Sequence, residues 1–161
     1  MTSDSPFTAL SDDRRQSPAA AAIVRGTRRL LLSMGFASVP ELTLASGRRA
    51  DIAALSDRGE IWIVEIKSSV ADFRADTKWP EYHAFADRLL FAVAPDFPVE
   101  ILPVTTGLVL ADAYGAELVR EAPLLAMVAA RRKAITLRIA RAAALRLHAA
   151  LDPEFVRERV E

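Results

Sequence analysis

Residues 60–67 read Glu60-Ile61-Trp62-Ile63-Val64-Glu65-Ile66-Lys67. The run is apolar on both parities and rich in β-branched and aromatic side chains, the pattern of a central strand covered on both faces. It predicts an α/β fold in which helices pack on both sides of one sheet. Residues two apart on a strand share a face, so Glu65 and Lys67 project together while Ile66 turns the other way. An acid and an ammonium therefore interrupt a strand in which unpaired charge is expensive.

Two further extended segments precede this strand, Val39 to Leu44 and Arg48 to Leu55, with turns at Ser46-Gly47 and Ser56-Asp57-Arg58-Gly59. A hairpin between the second and third strands can take a register that sets Asp51 opposite Glu65, its turn centred near Arg58 and Gly59 available for a bulge. Facing side chains then have Cβ atoms about 4.5–5.5 Å apart, close enough for both carboxylates to hold one cation. Two carboxylates and a strand carbonyl, for which Ile66 is the natural donor, make a hard oxygen site suited to Mg²⁺ or Mn²⁺. A water on such an ion becomes a usable nucleophile near neutral pH, and the ion offsets charge building on phosphorus during in-line attack. Lys67 would orient that water or stabilise the transition state. The competing reading of Asp51, Glu65 and Lys67 is an ordinary cross-strand ion pair, since Glu-x-Lys alone is a weak pattern in a chain that is 26% charged.

Further out, Ser17 and Pro18 supply a helix N-cap and first-turn pair ahead of an alanine-rich run to Met34, with Gly35 as the stop. After Ser68 and Ser69 the chain is polar and helical through Asp87, with Asp72 as a cap and a division into two helices because Pro80 fits best in a first turn. Leu89 to Val93 returns as a buried strand. Gly107 to Leu110 and Glu117 to Arg120 flank an Ala-Tyr-Gly turn, and Pro123 precedes a long Ala/Leu/Arg helix ending near Leu151. Residues 1–16 are expected as a flexible tail, 17–152 as one domain and 153–161 as a C-terminal tail.

Arg49-Ala50-Asp51-Ile52-Ala53, followed by Val64-Glu65-Ile66-Lys67-Ser68-Ser69, resembles the motif of the PD-(D/E)XK nucleases, whose restriction-endonuclease-like core runs α-β-β-β-α-β around a mixed central sheet. The tract Asp72-Phe73-Arg74-Ala75-Asp76-Thr77-Lys78-Trp79-Pro80-Glu81-Tyr82, with Asp87-Arg88-Leu89-Leu90-Phe91-Ala92-Val93, resembles more specifically the MmcB-like family of bacterial DNA-repair proteins. The resemblance implies Asp51 and Glu65 as metal ligands, Lys67 as the catalytic lysine, Mg²⁺ or Mn²⁺ as cofactor, DNA and other repair proteins as partners, and an endonuclease role in repair. The alternative it leaves is a nuclease-fold module of little or no activity that binds DNA or docks repair proteins. The chain departs from the superfamily pattern twice. Ala50 stands where the name has Pro, and the first helix has no acidic residue, so any extra carboxylate must come from elsewhere, such as Glu41.

Lys and Arg number 21, and Asp and Glu also 21, so no global field draws the chain to nucleic acid and phosphate contacts must come from local clusters. Arg25, Arg28 and Arg29 share a helical face, and Arg49 adjoins Asp51. Each is a candidate for substrate phosphate against the plainer reading of a solvated surface. Lys78 and Tyr82, near the end of the third strand, are further candidates for substrate contact. The terminal helix alternates apolar and basic positions and is expected to pack on the sheet or on a second copy of the chain, leaving a homodimer open, rather than on a membrane. The lack of cysteine removes disulfides, thiolate metal sites and cysteine nucleophiles. His83 and His148 are too scattered for a zinc site, and the singly spread glycines offer no phosphate loop. With neither a signal-peptide pattern nor an uncharged span of about 18 residues, the expected location is the cytoplasm.

Overall fold

The computed structural model describes residues 16–154, and the two expected tails lie outside them except for Gln16, Pro153 and Glu154. Six strands form one sheet in sequence order: β1 (Phe36–Thr43), β2 (Arg49–Ser56), β3 (Ile61–Lys67), β4 (Arg88–Val93), β5 (Gly107–Ala111) and β6 (Ala116–Arg120). β1, β2 and β3 pair antiparallel, β3–β4 and β4–β5 are parallel, and β5–β6 is antiparallel. The helices are α1 (Pro18–Ser33), α2 (Val70–Ala75) and α3 (Ala129–Leu151), with 3-10 turns at Trp79–Phe85 and Val99–Ile101. The expected α-β-β-β-α-β order is present, and the sheet is mixed because the connection from β3 to β4 crosses over rather than turning back.

α1 forms because Ser17 Oγ accepts the Ala20 N–H at 3.1 Å and Pro18 follows in the first turn. It ends where Gly35 takes φ +86°. Its buried residues, Ile23, Gly26, Thr27 and Leu31, recur at helical spacing. They cover the sheet face that carries Ile52, Trp62, Val64, Ile66 and Leu90. A Cβ on Gly26 would lie 2.0 Å from the Asp112 carbonyl oxygen, so the helix sits directly against the β5–β6 turn. The opposite face, with Ala53, Ile61, Ile63 and Leu89, is covered by Tyr82 from the 3-10 helix and by Ile135 and Ile139 of α3. All seven residues of β3 are buried, as its two apolar parities require.

Asp87 anchors α3. Its carboxylate accepts from Ile61 N–H at 2.8 Å and from both Arg132 Nη atoms at 2.5 and 2.6 Å. Its own N–H donates to the Ile61 carbonyl. Farther along α3, Arg146 donates to the carbonyls of Pro40 and Glu41 on the edge strand β1.

Several boundaries differ from the sequence reading. β1 begins at Phe36 rather than Val39, because Gly35 turns the chain straight into the strand and Phe36 packs on Trp62 with ring centroids 4.5 Å apart. The long helix begins at Ala129 rather than just after Pro123. The intervening segment is held extended by Leu125 N–H to the Asp87 carbonyl and by Arg88 to the Ala122 carbonyl. The second helical segment is a 3-10 helix ending at Phe85. α2 is capped by Ser69, whose Oγ accepts the Asp72 N–H, while the Asp72 carboxylate reaches back to Ser68 N–H. That reciprocal arrangement resembles a capping box.

Candidate active site

The β2–β3 ladder runs from Leu55↔Ile61 to Ile52↔Val64 and then stops. One more step would set Asp51 against Glu65. There the side chains replace the backbone pairing: Ile66 N–H donates to Asp51 Oδ2 at 2.8 Å, and Asp51 N–H donates to Glu65 Oε1 at 3.1 Å. Each carboxylate is thus fixed by an amide of the opposite strand.

The cause lies partly in β1. Glu41, across from Asp51 between the Pro40↔Ile52 and Leu42↔Ala50 pairs, adopts φ +50°, a costly conformation for a residue with a Cβ. On either side of this point Val39 and Leu42, and likewise Ala50 and Ala53, bury into the same core. Strand alternation would send residues three apart to opposite faces, so the phase slips by one at the 41/51 position.

Glu65 and Lys67 lie on the α3 side of the sheet, since Trp62, Val64 and Ile66 point to α1. Glu65 is 3% exposed and Lys67 4%. Burial raises the Asp51 carboxyl above the usual range, although the Ile66 amide and the Lys67 charge pull it back. Glu65 is pushed well above that range, by burial first and by the Asp51 charge second. Two desolvated carboxylates repel one another and favour either a retained proton or a cation. Lys67, whose charge acts on both, makes its own ion pair with Asp76, Nζ to Oδ2 at 2.7 Å. Burial raises the Asp76 carboxyl, but the Lys67 hydrogen bond and charge outweigh it, and the net shift is downward.

The donor set fits one hard divalent ion. Mg²⁺ takes one or two carboxylates and keeps waters and substrate phosphate for its other positions. Among the described residues no group of three or more His, Cys, Asp or Glu is placed to hold a metal, so an ion here would rest on these two carboxylates and on donors outside that set. Glu41 turns to Arg49, with Oε1 3.7 Å from Nη2.

The remaining candidates are spread more widely. Tyr82 is buried, and its hydroxyl donates to the Arg49 carbonyl at 2.8 Å. Burial, then the charges of Glu65 and Asp51, raise its pKa, so it forms a neutral wall of the carboxylate pocket. Arg49 and Lys78 are exposed near that pocket, the Lys78 N–H bonded to Asp76 Oδ1 at 3.0 Å. The structure does not bring Arg25, Arg28 and Arg29 to the carboxylates, because α1 covers the other face of the sheet. Arg28 binds the Ser38 hydroxyl and carbonyl, and Arg29 donates to the Tyr114 carbonyl at 2.8 Å.

Sequence reasoning missed two participants. Asp76 stands in the tract after the third strand, and nothing in local spacing marks it as the partner of Lys67. Arg48, paired with Glu81 at 2.6 Å, ties the start of β2 to the 3-10 helix, a contact across 33 positions that no periodicity reveals.

The model for the DNA repair protein MmcB-like family matches residues 8–154 of the chain. Among solved structures the chain is similar to a protein of unknown function from Silicibacter pomeroyi. The identity is 46% and the TM-score 0.83, over 86% of this chain and 94% of that one. No curated protein matches significantly.

Proposed function

The chain belongs to the MmcB-like family of DNA repair proteins, and on that premise we propose that it hydrolyses DNA phosphodiester bonds with a single divalent cation, Mg²⁺ or Mn²⁺. The observation that carries the reading is the exchange of amide bonds between Asp51 and Glu65 where the β2–β3 ladder opens. The one ammonium beside this pair, Lys67, is also taken up by Asp76, so buried Glu65 and half-buried Asp51 are left short of positive charge that a divalent ion would supply. Asp51 and Glu65, with the Ile66 carbonyl, would hold the ion. Bound there, it would supply Lewis-acid stabilisation of phosphoryl charge and would acidify a water for in-line attack. Lys67, on the same face as Glu65, places an ammonium where it can donate to a phosphate oxygen, and Asp76 fixes its orientation. Tyr82 closes the inner wall against water, while Arg49 and Lys78 offer positive charge at the rim. The resemblance to PD-(D/E)XK nucleases assigns Asp51, Glu65 and Lys67 the same roles.

A second reading, a nuclease-fold module that binds DNA or docks repair proteins with little activity, is favoured by one observation. Among the described residues only Asp51 and Glu65 converge, short of a group of three. Mn²⁺ calorimetry on the wild type and Asp51→Ala, with cleavage of labelled branched and single-stranded DNA alongside, separates the two. Binding and cleavage lost together in the variant support the nuclease. A wild type that takes up no ion and cuts nothing leaves the docking module.

A further inference from the structure

On the α3 side of the sheet, the β1–β2 turn, the end of the Trp79–Phe85 helix and the start of α3 enclose a cleft of about 320 Å³, near the lower end of the ~300–1,000 Å³ usual for small-molecule sites. Its apolar lining includes Leu44, Phe85 and Ile135. Two guanidiniums border it, each tethered to a backbone carbonyl. Arg131 Nη1 donates to Ala84 at 3.2 Å, and Arg138 Nη1 to Thr43 at 3.2 Å. The Arg131 guanidinium also lies over the Phe85 ring, 5.2 Å from its centroid. Neither arginine has a carboxylate partner among the described residues.

An apolar slot with an aromatic side chain and two cations that pair with no carboxylate among the described residues is complementary to a flat, weakly polar group carrying phosphates. That is the chemistry of a nucleotide with its base unpaired. The cleft is also placed to share a ligand with the carboxylates. Tyr82, at the Asp51–Glu65 pocket, and Phe85, in the cleft, are one 3-10 turn apart, about 6 Å along the helix. This is roughly two steps of a stacked strand at ~3.4 Å each.

We infer that the cleft is a subsite for one unpaired nucleotide of the DNA strand beside the bond to be cut. The base lies against Phe85, and the neighbouring phosphates rest on Arg131 and Arg138. The inference depends on the nuclease reading for the identity of its ligand, and it narrows that reading to single-stranded, frayed or branched DNA, because a paired base cannot enter.

The test is fluorescence-anisotropy titration of the full chain with a short labelled single strand, and with the same sequence as duplex. Chelator is present throughout so that nothing is cut. The wild type is expected to prefer the single strand. Arg131→Gln with Arg138→Gln, both at exposed positions, should weaken single-strand binding at least about tenfold and reduce the salt slope by about 1.4, at ~0.7 per phosphate. Phe85→Leu, which keeps apolar bulk, should weaken single-strand binding about fivefold, in the range of one lost base stack, and leave duplex binding unchanged. Unaltered affinity and slope in the arginine variant, or a wild type that binds duplex as tightly as single strand, overturns the inference. Mn²⁺ calorimetry and cleavage keep the two proposals apart. Strand binding through these residues without metal uptake or cutting sinks the nuclease and keeps the cleft as a site for an unpaired nucleotide, with no bond cut beside it. Metal uptake and cutting that ignore the cleft variants sink the cleft alone.

Discussion

Replacing Asp51 by Asn should stabilise the metal-free protein. The amide oxygen of Asn can still accept the Ile66 N–H, so the bond that places residue 51 survives, while the charge facing Glu65 is removed. Two unit charges roughly 5 Å apart at an effective dielectric of about 20 repel by about 3 kcal/mol. The Lys67 charge, which acts on both carboxylates, already offsets part of that repulsion, so about 2 kcal/mol is expected at pH 7. For a chain of this size that corresponds to a melting rise of roughly 4–8 °C.

The pH dependence has a definite sign. Both carboxyls are raised in the folded state, so the folded chain binds protons more tightly than the unfolded one. Their contribution is fully present below the unfolded carboxyl range near pH 4, and it is lost as pH rises through the folded Glu65 value. Metal-free wild type should therefore weaken across that interval, and Asp51→Asn should flatten the decline. With Mn²⁺ the order reverses, since an ion at a hundred times its Kd stabilises the wild type by about 2.7 kcal/mol and the variant by far less. Urea unfolding in chelator and in Mn²⁺, at several pH values, measures all of this. A variant less stable than wild type in chelator at pH 7 would refute the argument and make Asp51 a structural tie between strands.

Asp87→Asn should cost about 2 kcal/mol, in the ~1.5–3 kcal/mol range of a charge-assisted hydrogen bond and below the penalty for a fully buried pair, because it leaves Arg132, whose side chain is 36% exposed, without its carboxylate. Burial raises the Asp87 carboxyl, but the Arg132 and Ile61 hydrogen bonds and the Arg132 charge prevail and its net shift is downward. Its contribution is present above the unfolded value near 4 and lost as pH falls through the folded one, so the variant should show a shallower acid-unfolding limb by circular dichroism. Gly26→Ala should destabilise by about 2 kcal/mol or more by urea titration. Alanine improves helix propensity by about 1 kcal/mol, yet its methyl would fall 2.0 Å from the Asp112 carbonyl oxygen and force α1 off the sheet.

What could be read from the chain follows from where the information is local. β3 was legible because apolar residues on both parities are the direct signature of burial on two faces, and the nearness of Asp51 to Glu65 followed from counting back through a turn anchored by Gly59. The phase slip at Glu41 was not legible, because it is a backbone event in a residue type that gives no warning. The delayed start of α3 was hidden as well. Residues 121–128 are held extended by bonds to Asp87 and Arg88, and helix propensity has no view of those partners. Lys67 was expected to orient a metal-bound water or stabilise the transition state, and its engagement by Asp76 depends on how the segment after α2 folds back on β3, a tertiary fact.

The grip of Arg146 on β1 has a consequence for assembly. An outer strand normally offers unmet donors and acceptors on which a foreign strand can nucleate. On β1, Pro40 has no N–H to offer, Glu41 is turned out of phase, and the carbonyls of both are taken by one guanidinium from α3. The middle of that margin is closed to templated growth. A partner's strand or a second copy cannot run in register along the whole of β1, because any ladder begun there is interrupted at Pro40 and Glu41.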